Sequence, residues 1–506
     1  MNAVEERTRS LWMSELPRPA LALTANLQTD VVVVGAGVGG LTTAYMLAKA
    51  GKKVVVIDAG VPGGGMTART SAHITTLLDD HWSKLIKDRG EDKARRAAEA
   101  QSRAIDMIEA IQRDENIACD FARVDGYLVL GDEGTETLLK RERTAAHAVE
   151  LEASFEEQAP HKSFSGACLR FPHQGRFHPL KYLKGLIACI ERDGGKIVCG
   201  RVTEVKGGRA ARVEVEGGFE IKTKAVVVAT NFPINDKRLI KKQTVYRSYV
   251  IAGAVPKGVV PDALIFDTEW PYHYVRLQPN GGHDVLLVGG EDHKTGKALD
   301  MEERFERLEK WARKHFPEME RVTWRWSGQV MQSGDSLAFL GALPGKDKNV
   351  YVIAGDSGQG IVNGTIGAMM ITDAIQKRAN PWVDVFNPSR RPGEPTHSEP
   401  LPKMRPKQVH HIDDIPLGGG AVLVRGNEKI AVYRSKDDEF IERCAKCPHM
   451  GCPVAWNPAE ECWDCHCHGS QFSPDGKVLH GPATSDLAPL PEERRDTTSE
   501  QPPLRT

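Results

Sequence analysis

The chain has 506 residues, 40% hydrophobic and 27% charged, with 67 basic against 68 acidic side chains and a net charge of −1. That length suits two or three domains with sizeable cores, and the balanced charge gives no ground for a nucleic-acid or anionic-membrane partner. The start lacks the basic-then-apolar pattern of a secretory signal and no apolar stretch is long enough to span a bilayer, so the cytoplasm is the expected compartment.

In chain order, residues 1–29 read as an irregular lead-in. Asp30-Val-Val-Val-Val34 has the apolar run of a strand buried on both faces. A glycine turn follows, then helical spacing over Leu41–Ala50 with Gly51 at the C-cap, then a second buried strand over Lys53–Ile57. Residues 91–115 and 135–158, rich in Ala, Glu, Lys and Arg, read as exposed helices. Leu180–Asp193 reads as a helix, Lys196–Val205 as one strand, Ala225–Ala229 and Val350–Ala354 as further buried strands, and Ile361–Lys377 as a helix. Glu291, Asp292 and His293, which follow Gly289-Gly290, read as a solvated turn. The proline-rich stretch from Asn387 to Pro406 reads as a semi-rigid linker. After it come short strands, Ala421–Val424, Lys429–Tyr433 and Glu439–Arg443, separated by glycine turns, and then a polar tail.

Gly35-Ala-Gly37-Val-Gly39-Gly40 fits G-x-G-x-x-G between a strand and a helix. Gly35 permits the tight turn, Gly37 lets a pyrophosphate approach the backbone, and Gly40 lets helix and strand pack closely. The phosphates would then sit at the positive end of the helix, and Asp58, ending the second strand, can accept hydrogen bonds from a ribose.

Of ten cysteines, Cys119, Cys168, Cys189 and Cys199 are scattered and read as packed thiols, whereas six crowd between Cys444 and Cys467. Two boxes stand out there: Cys447-Pro-His449-Met-Gly451-Cys452 and Cys465-His-Cys467-His468-Gly469-Ser470. A Rieske [2Fe–2S] centre holds one iron by two thiolates and the other by two imidazoles. Cys447, His449, Cys465 and His468 supply that set, one Cys and one His per loop. The alternative is a zinc ribbon on Cys444-x-x-Cys447 and Cys462-x-x-Cys465, with fourteen residues between the pairs. It would leave both histidines and the Gly469-Ser470 turn without a role.

Residues 28–385 resemble the amine and amino-acid oxidase family typified by glycine oxidase and D-amino-acid oxidase. The resemblance rests on the glycine turn, on Val226-Val-Val-Ala229-Thr230, on Trp324-Arg-Trp326-Ser-Gly328 and on Ile353-Ala-Gly355-Asp-Ser-Gly358-Gln-Gly360-Ile361. The sequence departs from the family at Gly334-Asp-Ser, where Pro-Asp-Gly is usual. The resemblance implies FAD. Thr67, Arg69, Thr70 and Ser71 would lie in the loop that wraps it, Val202 at the adenine, and the helix after Gly360 at the flavin pyrimidine. Some relatives attach FAD covalently through a loop histidine; Arg69 occupies that position here, and His73 reads as structural or pocket-lining. Arg247, Tyr249, Tyr272, Tyr274 and Arg276 are the substrate-pocket candidates, able to hold a carboxylate or to box a cation.

Residues 405–490 resemble the Rieske proteins of respiratory cytochrome bc complexes. That resemblance implies a Cys452–Cys467 disulfide clamping the two loops, a Ser470 hydrogen bond to a cluster sulfide, and Gly481-Pro482 packed over the cluster. Phe472 replaces the tyrosine of high-potential members, which implies a potential below the top of the range of about −150 to +300 mV.

The expected architecture is an α/β FAD-binding Rossmann-like domain built discontinuously from 28–100, 160–235 and 330–385, with an α+β mixed-sheet substrate domain of 101–159 and 236–329. A linker over 386–404, a small all-β Rieske domain over 405–490 and a tail over 491–506 follow. The expected function is an FAD-dependent dehydrogenase acting on a C–N bond of a small amine or amino acid. Its electrons would leave FAD one at a time through the cluster to an external one-electron acceptor. The alternatives are the reverse flow, from a partner through the cluster to FAD, and a non-enzymatic redox sensor.

Overall fold

The computed structural model describes residues 5–132, 134–234, 236–298, 300–345, 348–393, 409 and 411–490; the later part of the expected linker and the expected tail lie outside them. A seven-stranded sheet runs in the order Leu21–Ala22, Lys196–Cys199, Val54–Asp58, Val31–Val34, Ala225–Asn231, Val350–Ala354, Phe339–Ala342. All its pairs are parallel except the last. Its central strands are all-apolar because both faces are covered: Val31, Val33, Val56 and Val227 pack in the core with the helices, and Val32, Val34, Val55 and Val226 pack against Val202, Val213 and Ile221 of a separate small sheet. Helices Val38–Lys49 and Gly360–Ile375 cross where Gly39 meets Gly364, and a Cβ on either glycine would come within 3.3 Å of the other's backbone.

The helix Glu91–Asp114 is not an exposed one. Its face of Ala94, Ala97, Ala98, Gln101, Ala104, Ile105 and Ile108 is buried, since alanine lets a helix approach its neighbours closely. The expected helix over 135–158 ends at Ala148; Glu150 adopts φ +62°, and Ser154–Glu156 is a strand. The expected strand 196–205 breaks at Gly200, where a Cβ would lie 2.9 Å from Val215, and Val202–Lys206 enters a separate four-stranded sheet.

A nine-stranded mixed sheet stands beside the parallel one and includes Gln243–Pro256, Tyr274–Asn280, His283–Lys294 and Val322–Ser333. The expected turn at Glu291–His293 is part of strand His283–Lys294, and all three residues are buried. Gly289 does not make a turn. It clears space for Tyr274, whose ring lies 2.0 Å from where a Cβ would be.

The chain stays packed on this first unit through Arg390, which pairs with Asp335 at 2.9 Å. The C-terminal unit holds two small antiparallel sheets, Gly420–Arg425/Glu428–Arg434/Phe440–Cys444 and Val454–Asn457/Cys462–Cys465/Gln471–Phe472/Val478–His480. The two units share a buried junction, and the lead-in is wedged into it: Glu6, Thr8, Ser10 and Trp12 are all buried. Among the described residues no helix is long and apolar enough to cross a membrane.

Candidate functional site

One cavity runs from the glycine turn to the nine-stranded sheet. Gly35, Gly37, Asp58, Thr67, Arg69, Thr70, Ser71, Val202, Ala229, Gly358, Gly360 and Ile361 all line it. Gly40 and Gly355 do not; they serve packing, as a Cβ would lie 2.0 Å from the Gly35 carbonyl oxygen and 2.8 Å from Phe339, respectively. The turn is held by its own strand ends: Asp58 accepts from the Ala36 N–H at 2.6 Å and the Gly60 N–H at 2.9 Å. Helices Val38–Lys49 and Gly360–Ile375 both start at the cavity wall, so both positive helix ends face it. An elongated cradle with glycine at the close approach and two helix N-termini fits a dinucleotide such as FAD.

The end facing the nine-stranded sheet is lined by His73, Asp79, Ser248, Val250, Phe266, Tyr272 and Tyr274. Of the five expected pocket residues, Tyr272 and Tyr274 line the cavity. Arg247 and Tyr249 do not, because alternate residues of a strand face opposite ways and Ser248 and Val250 are the pair turned inward. Tyr249 instead bonds His293 at 2.9 Å. Arg276 is buried beneath the loop, donating to the Ala72 carbonyl at 2.7 Å and the Phe177 carbonyl at 3.1 Å, so it braces the cofactor loop rather than presenting a cation. His73 has both ring nitrogens engaged, with Ser71 at 3.0 Å and the Val275 carbonyl at 3.3 Å; burial, helped by Arg276, holds it down to about 3.

The sequence reading missed Asp79, which belongs to no motif. Tyr272 donates to it at 3.0 Å. Burial, then the neighbouring Asp292, push its carboxyl up from 3.8 to about 8. The folded chain thus keeps a proton on Asp79 that the unfolded chain loses, so its contribution to stability falls as pH rises from about 4 to about 8. Asp79→Asn removes that penalty. The stability difference between the variant and the native protein is expected to grow in the variant's favour across this interval and level off above it. Thermal unfolding of both at a series of pH values checks this, and a flat difference would contradict it.

In the C-terminal unit the two expected boxes form facing loops. Cys447 and Cys465 are buried free thiols that each shift the other's titration, and the His449 and His468 rings lie 5.0 Å apart. His449 Nε2 and His468 Nδ1 are buried without a partner. Two thiols on one side and two orphaned imidazole nitrogens on the other fit a [2Fe–2S] cluster. The zinc alternative finds no such support. Cys462 turns from the loops toward Asp464 and Gln471, and among the described residues the four cysteines are not a converging group.

Cys452 and Cys467 are joined in a disulfide, with a sequence separation of 15. Closing a loop of that size contributes about 3 kcal/mol. Replacing both by serine is expected to lower the denaturant midpoint for bleaching of the cluster while leaving the flavin transition in place; an unchanged cluster midpoint would show that the bridge is not a clamp.

The junction joins the two sites. Val478, Leu479, Gly481, Ala483 and Thr484 of the C-terminal unit line the cavity, and the Ala483 N–H donates to Ser470 Oγ at 3.0 Å. From the other side Gln329, a cavity residue, donates to the Gly469 carbonyl, next to His468, at 2.7 Å. Beside this contact is a buried charge network. The Arg69 guanidinium turns from the cavity to Glu6 and Glu460, both at 3.3 Å, and Arg247 lies 3.5 Å from Asp464. His480 bonds Glu6 at 2.9 Å. Burial alone would raise Glu6, but Arg69, His480 and Arg247 hold it down to about 2.

Residues 30–374 match the family described as FAD dependent oxidoreductase (DAO), and residues 405–491 match the Rieske [2Fe-2S] domain. YhfW of Bacillus subtilis (strain 168), named as a Rieske 2Fe-2S iron-sulfur protein, is 30% identical over 96% of this chain and 97% of its own. Gamma-glutamylputrescine oxidoreductase of Escherichia coli (strain K12) is 25% identical over 71% of this chain and 86% of its own. Among solved structures, glycine oxidase from Geobacillus kaustophilus superposes with a TM-score of 0.60 at 18% identity, covering 73% of this chain and all (100%) of that one, a likeness of fold.

Proposed function

Because the chain belongs to the FAD dependent oxidoreductase family and carries a C-terminal Rieske [2Fe-2S] domain, we propose that it is a dehydrogenase for a C–N bond of a small amine or amino acid, passing electrons singly through the cluster to an external acceptor. One observation carries the reading: the segment 478–484 is at once a wall of the FAD cavity and, through Ala483 and Ser470, a support of the cluster loop. An enzyme that handed its electrons straight to O2 would have no use for a cluster domain built into that wall.

FAD supplies acceptance of a hydride from the carbon beside nitrogen, and the cluster supplies one-electron transfer. The chain's own residues supply the setting. Tyr272, Tyr274 and Phe266 exclude water from the sheet end of the cavity and orient the substrate carbon. Asp79, which keeps its proton up to about pH 8, and Tyr272 form a hydrogen-bonded pair there, 3.0 Å apart. Gln329 and the 478–484 segment hold the cluster loops against the cavity wall.

Anaerobic addition of a panel of amines and amino acids tests the proposal. A substrate is expected to bleach the flavin band and then give the low-average-g EPR signal of a reduced, histidine-ligated [2Fe–2S] centre. Bleaching in a protein whose cluster stays oxidised, or no bleaching by any member, would overturn it.

A further inference from the structure

The sheet end of the cavity is acidic and aromatic. Asp79 lines it, and the Tyr272 hydroxyl that donates to Asp79 lies 3.5 Å from Asp292. Asp292 is only 4% exposed, and its Oδ1 is buried without a hydrogen-bond partner. Neither carboxyl makes an ion pair among the described residues. Burial raises Asp292 and the nearby Arg304 lowers it electrostatically, but Arg304 pairs with Asp300 through Nε at 3.1 Å and gives Nη1 to the backbone carbonyls of Glu291 and Asp292. The arginines that line the cavity are committed elsewhere: Arg69 at the junction, and Arg201, at the Val202 end, beside Glu216 at 3.6 Å. Tyr272 and Tyr274 stand with ring centroids 5.9 Å apart, and Tyr274 meets His73 edge-on at 5.4 Å.

We propose that this end binds a cationic amine that carries no carboxylate, with its ammonium on Asp79, Asp292 behind it, and its carbon chain against Tyr272, Tyr274 and Phe266. The inference rests on the C–N dehydrogenase reading and narrows it. An amino acid would bring its carboxylate against two buried carboxyls with no cavity-lining guanidinium free to receive it, an unpaired charge in a desolvated site that also repels ionised Asp292. An ammonium supplies the missing counter-charge, and the tyrosine faces add cation–π attraction. The burial and carboxyl neighbours that raise Asp79 are offset when a cation arrives.

The test uses the FAD-loaded full chain under anaerobic conditions. The probes are n-butylamine and 1,4-diaminobutane against glycine, alanine and N-methylglycine, and flavin bleaching is the readout. Amines are expected to half-saturate at concentrations about 10- to 100-fold lower than amino acids, the worth of one charge-assisted hydrogen bond. Asp79→Asn is expected to lose that advantage while retaining flavin. Bleaching by amino acids but not amines overturns the inference and leaves the dehydrogenase reading standing; bleaching by neither class overturns the reading beneath it. Release of flavin by Asp79→Asn with amine affinity unchanged also overturns the inference, since Asp79 would then belong to the cofactor's hold. A variant-free readout is the flavin absorption spectrum of the native protein titrated with non-oxidisable ions. A perturbation by tetramethylammonium and not by acetate supports the inference, and the reverse overturns it.

Discussion

Replacing Arg247 by methionine is expected to destabilise the junction between the two units by about 3–5 kcal/mol, the usual cost of leaving a buried charge without its partner. The Arg247 side chain is 1% exposed and lies 3.5 Å from Asp464, 3.7 Å from Glu460 and 3.8 Å from Glu6, with the Ser327 hydroxyl at 2.6 Å. Methionine fills a similar space but returns no charge. Asp464 then loses its guanidinium, and Glu6 and Glu460 keep Arg69, with His480 on Glu6. Because Glu460 and Asp464 belong to the C-terminal unit, the loss falls on docking as much as on folding. Thermal unfolding followed separately by flavin and cluster absorbance is expected to show an earlier cluster transition that no longer coincides with the flavin transition. A variant with native, coincident transitions would show that the network is not what holds the units together. Arg247→Lys separates charge from geometry. It keeps the positive charge but loses the planar fork, so partial rescue is expected.

The second large effect is expected at the cluster. His468→Ala removes one of the two imidazoles that would hold an iron of the cluster, and the neighbouring His466 is engaged with the Pro453 carbonyl. Changes outside the ligand set already cost about 10- to 100-fold in metal affinity, so loss of a ligand should abolish the cluster. The reduced-state EPR signal is expected to vanish, together with turnover through a one-electron acceptor. FAD binding and flavin bleaching by substrate remain, because the glycine-turn cradle is built by other elements. Cys462→Ser gives the complementary result. It leaves the cluster in place, whereas a zinc ribbon would lose its metal on this change and keep it on the histidine change.

What the sequence made legible was local. The glycine turn, its flanking strands and the two Cys/His boxes each lie within a short stretch, so residue type and spacing state the geometry. The junction was not legible, because its pairs are distant in the chain: Arg69 and Glu460 are separated by 391 positions. The lead-in looked irregular for the same reason, as Glu6 and Thr8 gain meaning only from Arg69 and Glu460. Strand alternation decided the pocket. Arg247, Tyr249 and Arg276 have the residue types that such a site uses, but register turns the first two away and the loop carbonyls claim the third. Gly289-Gly290 has the composition of a turn, yet the missing side chain makes room for Tyr274 inside a strand. Asp79 carried no motif, and its significance comes from the burial and neighbours that folding imposes.

The central claim is that flavin and cluster work as a pair within one chain, through the wall that they share. Rapid anaerobic mixing of the protein with a bleaching substrate, at several protein concentrations, tests it most directly. Cluster reduction is predicted to follow flavin reduction at a first-order rate that does not change with protein concentration. A rate that rises in proportion to concentration would mean that electrons pass between molecules, and a cluster left oxidised beside a bleached flavin would mean that they do not pass at all.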